Sequence, residues 1–463
     1  MHRSDNQSTL LKCMLVSCLL LSINVFRGAF TRPACAGNNS IQGPLRVHPD
    51  NPRYFTDDSR KAIYVTGSHT WYNLQDSGTI GEPLTRFDYN AYLDLLQSSG
   101  HNFMRMWAWE GGVNERYCEP LAYSRTGPGT ALDGKPKFDL KQFNQEYFDR
   151  LRSRVVAAGQ RGIYVSIMLL QGWSIYSHGY GNPWPLHPFN KANNVNGLDG
   201  DPNADGEGKE VHTLQVPAIT ALQQAYVRKV IDTVNDLDNV LYEITNETAI
   251  FSKDWQYHVV KYIESHEATK PKRHPVGMTA FDSGRAGSMA ALWASPADWI
   301  SPQNDGTAGD FRHDPPAADG RKVMISDTDH LWGVGGGRTW AWKSFTRGLH
   351  SIYMDPITKP DGTVETLWKE ARKGNGAYPP LGQTNESDEH GSSQRPRLNP
   401  LLPRASANGV SGLSAGRRSG DGGPVRREGD VAGRMDPSCR RDCEVSSPHP
   451  GRRQTPLPDT FQW

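Results

Sequence analysis

Two short runs in this chain end in groups that can do acid–base chemistry together. Val240-Leu-Tyr-Glu-Ile-Thr leads into Asn246-Glu247, and Lys322-Val-Met-Ile-Ser leads into Asp327-Thr-Asp329-His330. A carboxylic acid beside an amide at the mouth of a strand can protonate a glycosidic oxygen while the amide holds a neighbouring hydroxyl. Glu247 is therefore the candidate acid/base, and Asn246 the candidate hydroxyl-binding group. The second run ends in two further carboxylates and an imidazole. Each run also has a plainer reading. Asn246-Glu247 can cap the next helix, and Asp327, Asp329 and His330 can bind a cation or knit a hydrogen-bond network that shapes a loop.

Other candidate strand ends carry groups suited to a polar, flat-faced ligand. His69 and Trp71 follow one run, Arg105, Trp107, Trp109 and Glu110 close another, and Gln171 and Trp173 follow a third. With Asn246 and His330 they form the candidate substrate-binding set. Arg105 can keep a catalytic carboxylate ionised or neutralise another barrel acid such as Glu110. His69 suits a structural role better than a catalytic one. Glu243 lies on the same pleat face as Glu247 but deeper, and is expected to be a buried, paired acid. The chain holds 13 Trp and 17 Tyr, many beside Gly, Asn, Asp or His. Rings in that setting suit sugar faces, although most single aromatic residues serve the core.

Positioning these groups requires a scaffold that gathers strand ends. Between residues 62 and 371, short β-branched or aromatic runs alternate with helix-period segments, the pattern of a parallel sheet with helical crossovers. Eight runs are expected as strands: 62–66, 102–107, 163–169, 240–245, 275–279, 298–301, 322–326 and 351–354. Helix period is carried by Tyr92, Leu95 and Leu96, by Phe148, Leu151, Val155 and Val156, and by Tyr226, Val227, Val230, Ile231 and Val234. Eight units in that span predict a (β/α)8 barrel, whose reacting groups sit at the C-terminal ends of the strands. A doubly wound open sheet has no Gly-rich phosphate fingerprint after the first run to support it. The long loop at 171–216 is expected to wall a substrate cleft, or else to be a solvated insertion.

The flanking segments differ in character. Arg3 and Lys12 precede an apolar run from Cys13 to Phe26 that is too short for an ordinary transmembrane helix, and Ala34-Cys35-Ala36 follows as a cleavage site. Residues 1–36 thus read as an export signal, predicting a secreted or periplasmic protein, with Cys35 a weaker candidate for lipid attachment. No membrane span is expected once the signal is removed. Residues 374–463 contain twelve Arg and no Lys, whereas residues 50–373 mix 18 Arg with 16 Lys. This Pro/Gly/Ser/Arg-rich tail is expected to lack a fold of its own, as a shifted reading frame would also produce. A net charge of +1 provides no single-signed field for nucleic acid or an acidic membrane. Cys118 stands alone in the body of the chain, so no disulfide framework or cysteine metal site is expected. Neither a cofactor nor a metal is called for; a carbohydrate substrate and a monomer are the expectations.

At this point the chain resembles the clan-A glycoside hydrolases, whose barrels carry Asn-Glu at the end of strand four with the Glu as acid/base. Those barrels carry a Glu nucleophile at the end of strand seven, where this chain has Asp. By that resemblance Asp327 is the second carboxylate and Asp329 its neighbour. An Asp is one methylene shorter, so the gap to Glu247 is expected to exceed the ~5 Å of a retaining enzyme and approach the ~6.5–9.5 Å of an inverting one. The stereochemical outcome stays open.

Asn51-Pro-Arg-Tyr-Phe-Thr-Asp, Gly67-Ser-His-Thr-Trp-Tyr-Asn73, Asn102-Phe-Met-Arg-Met-Trp-Ala-Trp109, Asp327-Thr-Asp-His-Leu-Trp-Gly333 and Trp340-Ala-Trp-Lys-Ser-Phe-Thr-Arg-Gly further resemble the apiosidase-like barrels. That resemblance spans residues 43 to 372 and implies hydrolysis of a polysaccharide, with pectic side chains as one substrate class. Members commonly continue into a small β-sandwich, which residues 374–463 do not resemble. A β-1,4-glucanase or mannanase is the rival enzyme, and a non-catalytic carbohydrate-binding barrel the rival outside catalysis.

Overall fold

The computed structural model describes residues 41–112, 116–178, 181–281, 287–356 and 372. The expected signal segment, the 374–463 tail and, apart from Arg372, the residues from 357 onward lie outside the described residues. Eight parallel strands follow one another around a closed barrel: β1 (Thr66–His69), β2 (Phe103–Met106), β3 (Tyr164–Gln171), β4 (Val240–Asn246), β5 (Val276–Met278), β6 (Trp299–Ile300), β7 (Val323–Asp327) and β8 (His350–Met354). Closure is explicit, because Ser351 to Met354 of β8 pair with Thr66 to His69 of β1. That pairing rules out an open doubly wound sheet.

The strand alternation decides which side chains face inward. At the base, Phe103, Tyr164, Leu241, Trp299, Val323, Ile325 and Ile352 fill the barrel with Val65. Trp299 fits only because position 277 is glycine; a Cβ there would lie 1.9 Å from the indole. One pleat higher come the polar residues Arg105, Ser166 and Glu243, and above them Trp107, Met168 and Met354. The opposite parity, including Met104, Met106, Val165, Ile167, Tyr242, Ile244, Met278 and Met324, packs outward under the helices.

Those helices are α1 (Tyr89–Ser98), α2 (Gln145–Gly159), α3 (Pro217–Val234), α4 (Lys253–Glu267), α5 (Ser288–Ala294) and α6 (Arg338–Thr346). Asp88 caps α1 by accepting from Ala91 N, Asn144 caps α2 by accepting from Glu146 N, and Pro217 opens α3 without wasting a donor. Their buried faces are the periodic ones: Tyr92 and Leu96; Phe148, Leu151 and Val155; Tyr226, Val227, Val230, Ile231 and Val234. No helix among the described residues is long and apolar enough to cross a membrane.

The first strand departs from its expected position. The run at 62–66 is not the barrel strand; Ile63 bridges Phe55 and Val65 plugs the base, while the polar Thr66–His69 pairs with both neighbours. Enclosure by two strands and a filled interior overrides its poor strand propensity. The shift places His69 inside the barrel as the last residue of β1. A hairpin, Tyr123–Thr130 with Pro136–Phe143, grows from the β2–α2 connection. Its Tyr123, Phe138 and Leu140 pack with Trp184, Phe189 and Val211 of the 171–216 loop into a second small core. That loop is thus a folded wall at the C-terminal mouth.

Candidate active site

One buried guanidinium organises the mouth. Arg105, from β2, is 1% exposed and all five of its N–H groups have acceptors. Nε and Nη2 reach the two oxygens of Glu243 at 2.9 and 2.5 Å, and Nη2 also reaches Asn246 Oδ1 at 2.6 Å. Nη1 donates to Asp327 Oδ2 and Asp329 Oδ2, each at 2.9 Å. Arg105 therefore both neutralises a barrel acid and holds the strand-seven aspartates, and the acid it pairs with is Glu243. Glu243 is the buried, paired acid expected of it.

The two aspartates are used differently. Asp327 is 0% exposed. Its Oδ1 accepts from His69 Nε2 at 3.0 Å and from Asp329 N at 2.9 Å, while Oδ2 is held by Arg105. Trp107 Nε1, which can only donate, bonds His69 Nδ1 at 2.9 Å. The His69 proton directed at Asp327 is thereby fixed on Nε2. Burial alone would raise the Asp327 carboxyl, but His69 and Arg105 outweigh it and hold it far below the usual carboxylate range. Asp329 sits two residues further along, beyond the end of β7. Burial and the like charge of Asp327 push its carboxyl up against the pull of Arg105.

Opposite lies Glu247. It takes a left-handed backbone (φ 47°) just past β4, a conformation that a side chain adopts only where the surroundings impose it. Gly172 allows the close packing: a Cβ there would come within 2.8 Å of the carbonyl oxygens of Asn246 and Glu247. Glu247 Oε2 accepts from Trp173 Nε1 at 2.6 Å, and His178 stacks on that indole at 4.2 Å. One oxygen each of Glu247 and Asp329 and a ring nitrogen of His330 lie within 4.8 Å of one another.

Those three side chains could converge on a cation, and the hydrogen bonds of His330 bear on it. Asn246 Oδ1 is an acceptor for Arg105, so His330 Nε2, 3.2 Å away, carries the proton, and Nδ1 faces Ser301 Oγ at 2.8 Å. Both ring nitrogens are thus engaged. Burial, reinforced by Arg105, lowers the His330 pKa to about 3, leaving it neutral. With its oxygen pinned twice, Asn246 turns Nδ2 into an enclosed position with no partner among the described residues.

The remaining candidates divide into rings at the cleft and supports behind it. Trp71 and Trp173 are partly exposed. Trp107 and Trp109 are 2% and 4% exposed, with indole N–H groups on His69 and on the Trp71 carbonyl. Gln171 is buried and caps the Gly172–Ser174 turn, accepting from Trp173 N at 3.2 Å. Glu110, outside the Arg105 cluster, accepts from Gln171 N at 2.7 Å and from His212 Nε2 at 3.1 Å, with His187 at 3.6 Å. Burial opposes ionisation there, but the two histidines hold its pKa at about 2.

His212 continues to Thr248 Oγ1 at 2.9 Å, next to Glu247. Sequence reasoning missed His178, His187 and His212; their only signal was three histidines in a loop already expected to wall the cleft.

A model described as a domain of unknown function, DUF6298, matches residues 99–283. No curated protein matches the chain. Among solved structures, a candidate glycoside hydrolase from Bacteroides vulgatus is similar at 13% identity and TM-score 0.45, over 71% of this chain and 58% of that one. The chain thus spans under two thirds of that protein. A glycoside hydrolase family 5 protein from the same organism aligns at 13% identity and TM-score 0.41, over 72% and 69% of the two chains. An endo-1,4-β-mannanase from Rhizomucor miehei aligns at 13% identity and TM-score 0.44, over 73% and 98%.

Proposed function

We propose that the protein is a retaining glycoside hydrolase in which Glu247 is the acid/base and Asp329 the nucleophile. The observation that carries this reading is the division of labour on strand seven. Asp327 spends its oxygens on His69, Arg105 and a backbone amide, whereas Asp329 lies within 4.8 Å of Glu247. That approach accords better with the ~5 Å separation of retaining enzymes than with the wider gap of inverting ones. Asp329 attacks the anomeric carbon while Glu247 protonates the leaving oxygen. Glu247 then deprotonates the water that releases the sugar.

Arg105 keeps Asp329 anionic and aimed, and Asp327 with His69 keeps Arg105 in place. Asn246 Nδ2 is the donor left for a hydroxyl next to the anomeric centre, and Trp71 and Trp173 supply rings for sugar faces. The substrate is a polysaccharide, with pectic side-chain oligosaccharides the first class to screen against β-glucans and mannans.

The test is product analysis by NMR during hydrolysis. Initial release of the anomer present in the substrate is expected, and release of the opposite anomer overturns the assignment. In an Asp329→Gly variant, azide should restore turnover and yield a glycosyl azide of inverted configuration. Restoration in Asp327→Gly instead would make Asp327 the nucleophile.

A further inference from the structure

We propose that residues 201–210, in the wall of the cleft, form a calcium-binding loop. The sequence Asp201-Pro-Asn203-Ala-Asp205-Gly206-Glu207 places carboxylate, amide and carboxylate oxygens at alternate positions before a glycine, followed by a residue whose carbonyl can ligate. This is the oxygen-donor spacing of helix–loop–helix calcium sites. Its closing acid is Glu210, two positions earlier than in those loops. Between residues 199 and 210 there are five carboxylates and one lysine, and the lysine is spent on Glu207, which also accepts from Ser177 N.

The backbone winds around these acids, and a bound cation would draw their oxygens together. Asp205 N and Gly206 N donate to the two oxygens of Asp201 at 3.1 and 2.9 Å, Asp205 N also donates to Asn203 Oδ1, and Glu207 N donates to Asp205 Oδ1. Gly206 has φ 85°.

A separate observation points to a missing positive charge. Glu210 is 8% exposed and its Oε2 is enclosed without a partner among the described residues. Its other oxygen accepts from Asn203 Nδ2 at 2.6 Å, and that same nitrogen lies 3.4 Å from Asp205 Oδ2. A neutral amide thus stands between two carboxylates, where a cation would satisfy both and leave Asn203 Oδ1 as a further ligand. All the donors are oxygens, which favours calcium over softer ions, and the number of protein oxygens on offer favours it over magnesium, which keeps several of its waters. The loop runs directly into the Lys209–His212 turn, and His212 holds Glu110 and Thr248. The cation would therefore brace the wall behind Glu247.

The test uses the full chain after dialysis against a chelator. Trp184 lies against the loop, its ring within 2.9 Å of the positions that Cβ atoms at Gly200 and Gly208 would occupy, so it should sensitise bound terbium. Saturable terbium emission is expected, displaced by calcium with a Kd on the order of 10⁻⁴ M, together with a calcium-dependent rise in Tm.

Glu210→Gln, nearly isosteric, and Asp205→Asn should each weaken binding at least about tenfold. If Asp205→Asn fails to fold, Glu210→Gln decides. Asp329→Asn should leave the emission intact. The proposal is overturned if wild-type protein shows no emission and no Tm shift, if Glu210→Gln binds as wild type, if magnesium gives an equal shift, or if Asp329→Asn abolishes the signal. None of these readouts depends on turnover, so failure here and failure of the glycosidase reading are distinguishable.

Discussion

Substituting the two strand-seven aspartates separately should produce opposite effects on stability, because only one of them is held as an anion by surplus donors. Asp327 accepts from His69 Nε2, Asp329 N and Arg105 Nη1 in a site with no solvent access. Its pKa in the fold is depressed, so its stabilisation is present above the unfolded pKa and is lost as pH falls through the folded one. Asp327→Asn turns one acceptor oxygen into an NH₂ facing a donor and removes the buried anion on which His69 Nε2, Asp329 N and Arg105 Nη1 converge. Loss of a buried, charge-assisted partner costs about 3–5 kcal/mol, which at about 2–4 °C per kcal/mol lowers Tm by roughly 10 °C.

Asp329 has the opposite sign. Its pKa is raised in the fold, so its contribution to stability is greatest below the unfolded pKa and declines as pH rises through the folded one. At neutral pH the ionised side chain costs stability, since Arg105 already faces Glu243 and Asp327. Asp329→Asn keeps an oxygen for Arg105 and removes the surplus charge. The assay is scanning calorimetry at pH 5 and pH 7 beside turnover of the best substrate from the panel. Asp329→Asn should match or exceed the wild-type Tm at pH 7, with the gain shrinking at pH 5, and should retain less than about 10⁻³ of activity. A Tm drop for Asp329→Asn larger than that for Asp327→Asn would refute the reasoning.

Three further outcomes follow from the same geometry. The acid limb of kcat/KM should lie above the ordinary carboxylate range, because Asp329 must be ionised and its pKa is raised; in Asp327→Asn that limb should move to lower pH as the like charge disappears, and a pH-rate profile reads both shifts. Asn246→Asp keeps the acceptor for Arg105 and His330 but loses the unpartnered donor; kcat/KM should fall roughly 10²- to 10³-fold, while a substrate deoxygenated beside the anomeric carbon should show no such loss. Trp173→Phe removes the 2.6 Å bond to Glu247 Oε2, and kcat should drop about 10- to 100-fold with circular dichroism unchanged.

Legibility in the sequence followed burial. The outward-facing strand residues and helix faces repeat with the periods of their elements, so seven of the eight strands lie within a residue or two of where the pattern puts them. The exception, β1, is Thr-Gly-Ser-His, a polar segment that becomes a strand only because β8 and β2 flank it. Glu247, Asn246, Arg105 and the strand-seven acids were legible as polar groups ending apolar runs. What pattern could not reveal is which polar group another consumes. Trp107 looks like a sugar platform until its N–H is found on His69, and Gln171 looks like a ligand-binding amide until it caps the turn that carries Trp173. The loop histidines lie 77 and 102 residues from the acid they neutralise, Glu110, and only the packed hairpin and loop bring them together.

The shortness of aspartate, which pointed to a wide carboxylate gap, is offset by position. In the proposed mechanism the reacting acid is not Asp327 at the end of β7 but Asp329 in the turn that follows it, where its carboxylate comes within 4.8 Å of Glu247 despite the methylene lost from glutamate. The vacated position can then be filled by a second acid whose task is to anchor Arg105. The arrangement carries a requirement: two acids on neighbouring inward positions need a cation between them, and Arg105 donates to both through one nitrogen. Arg105→Lys, with three donors for four acceptor groups, should leave the pair unbalanced. Asp329 would then be driven further up in pKa and activity confined to higher pH, even where the barrel still folds. An unchanged acid limb in Arg105→Lys would show that Asp329 is held anionic by something other than this shared guanidinium.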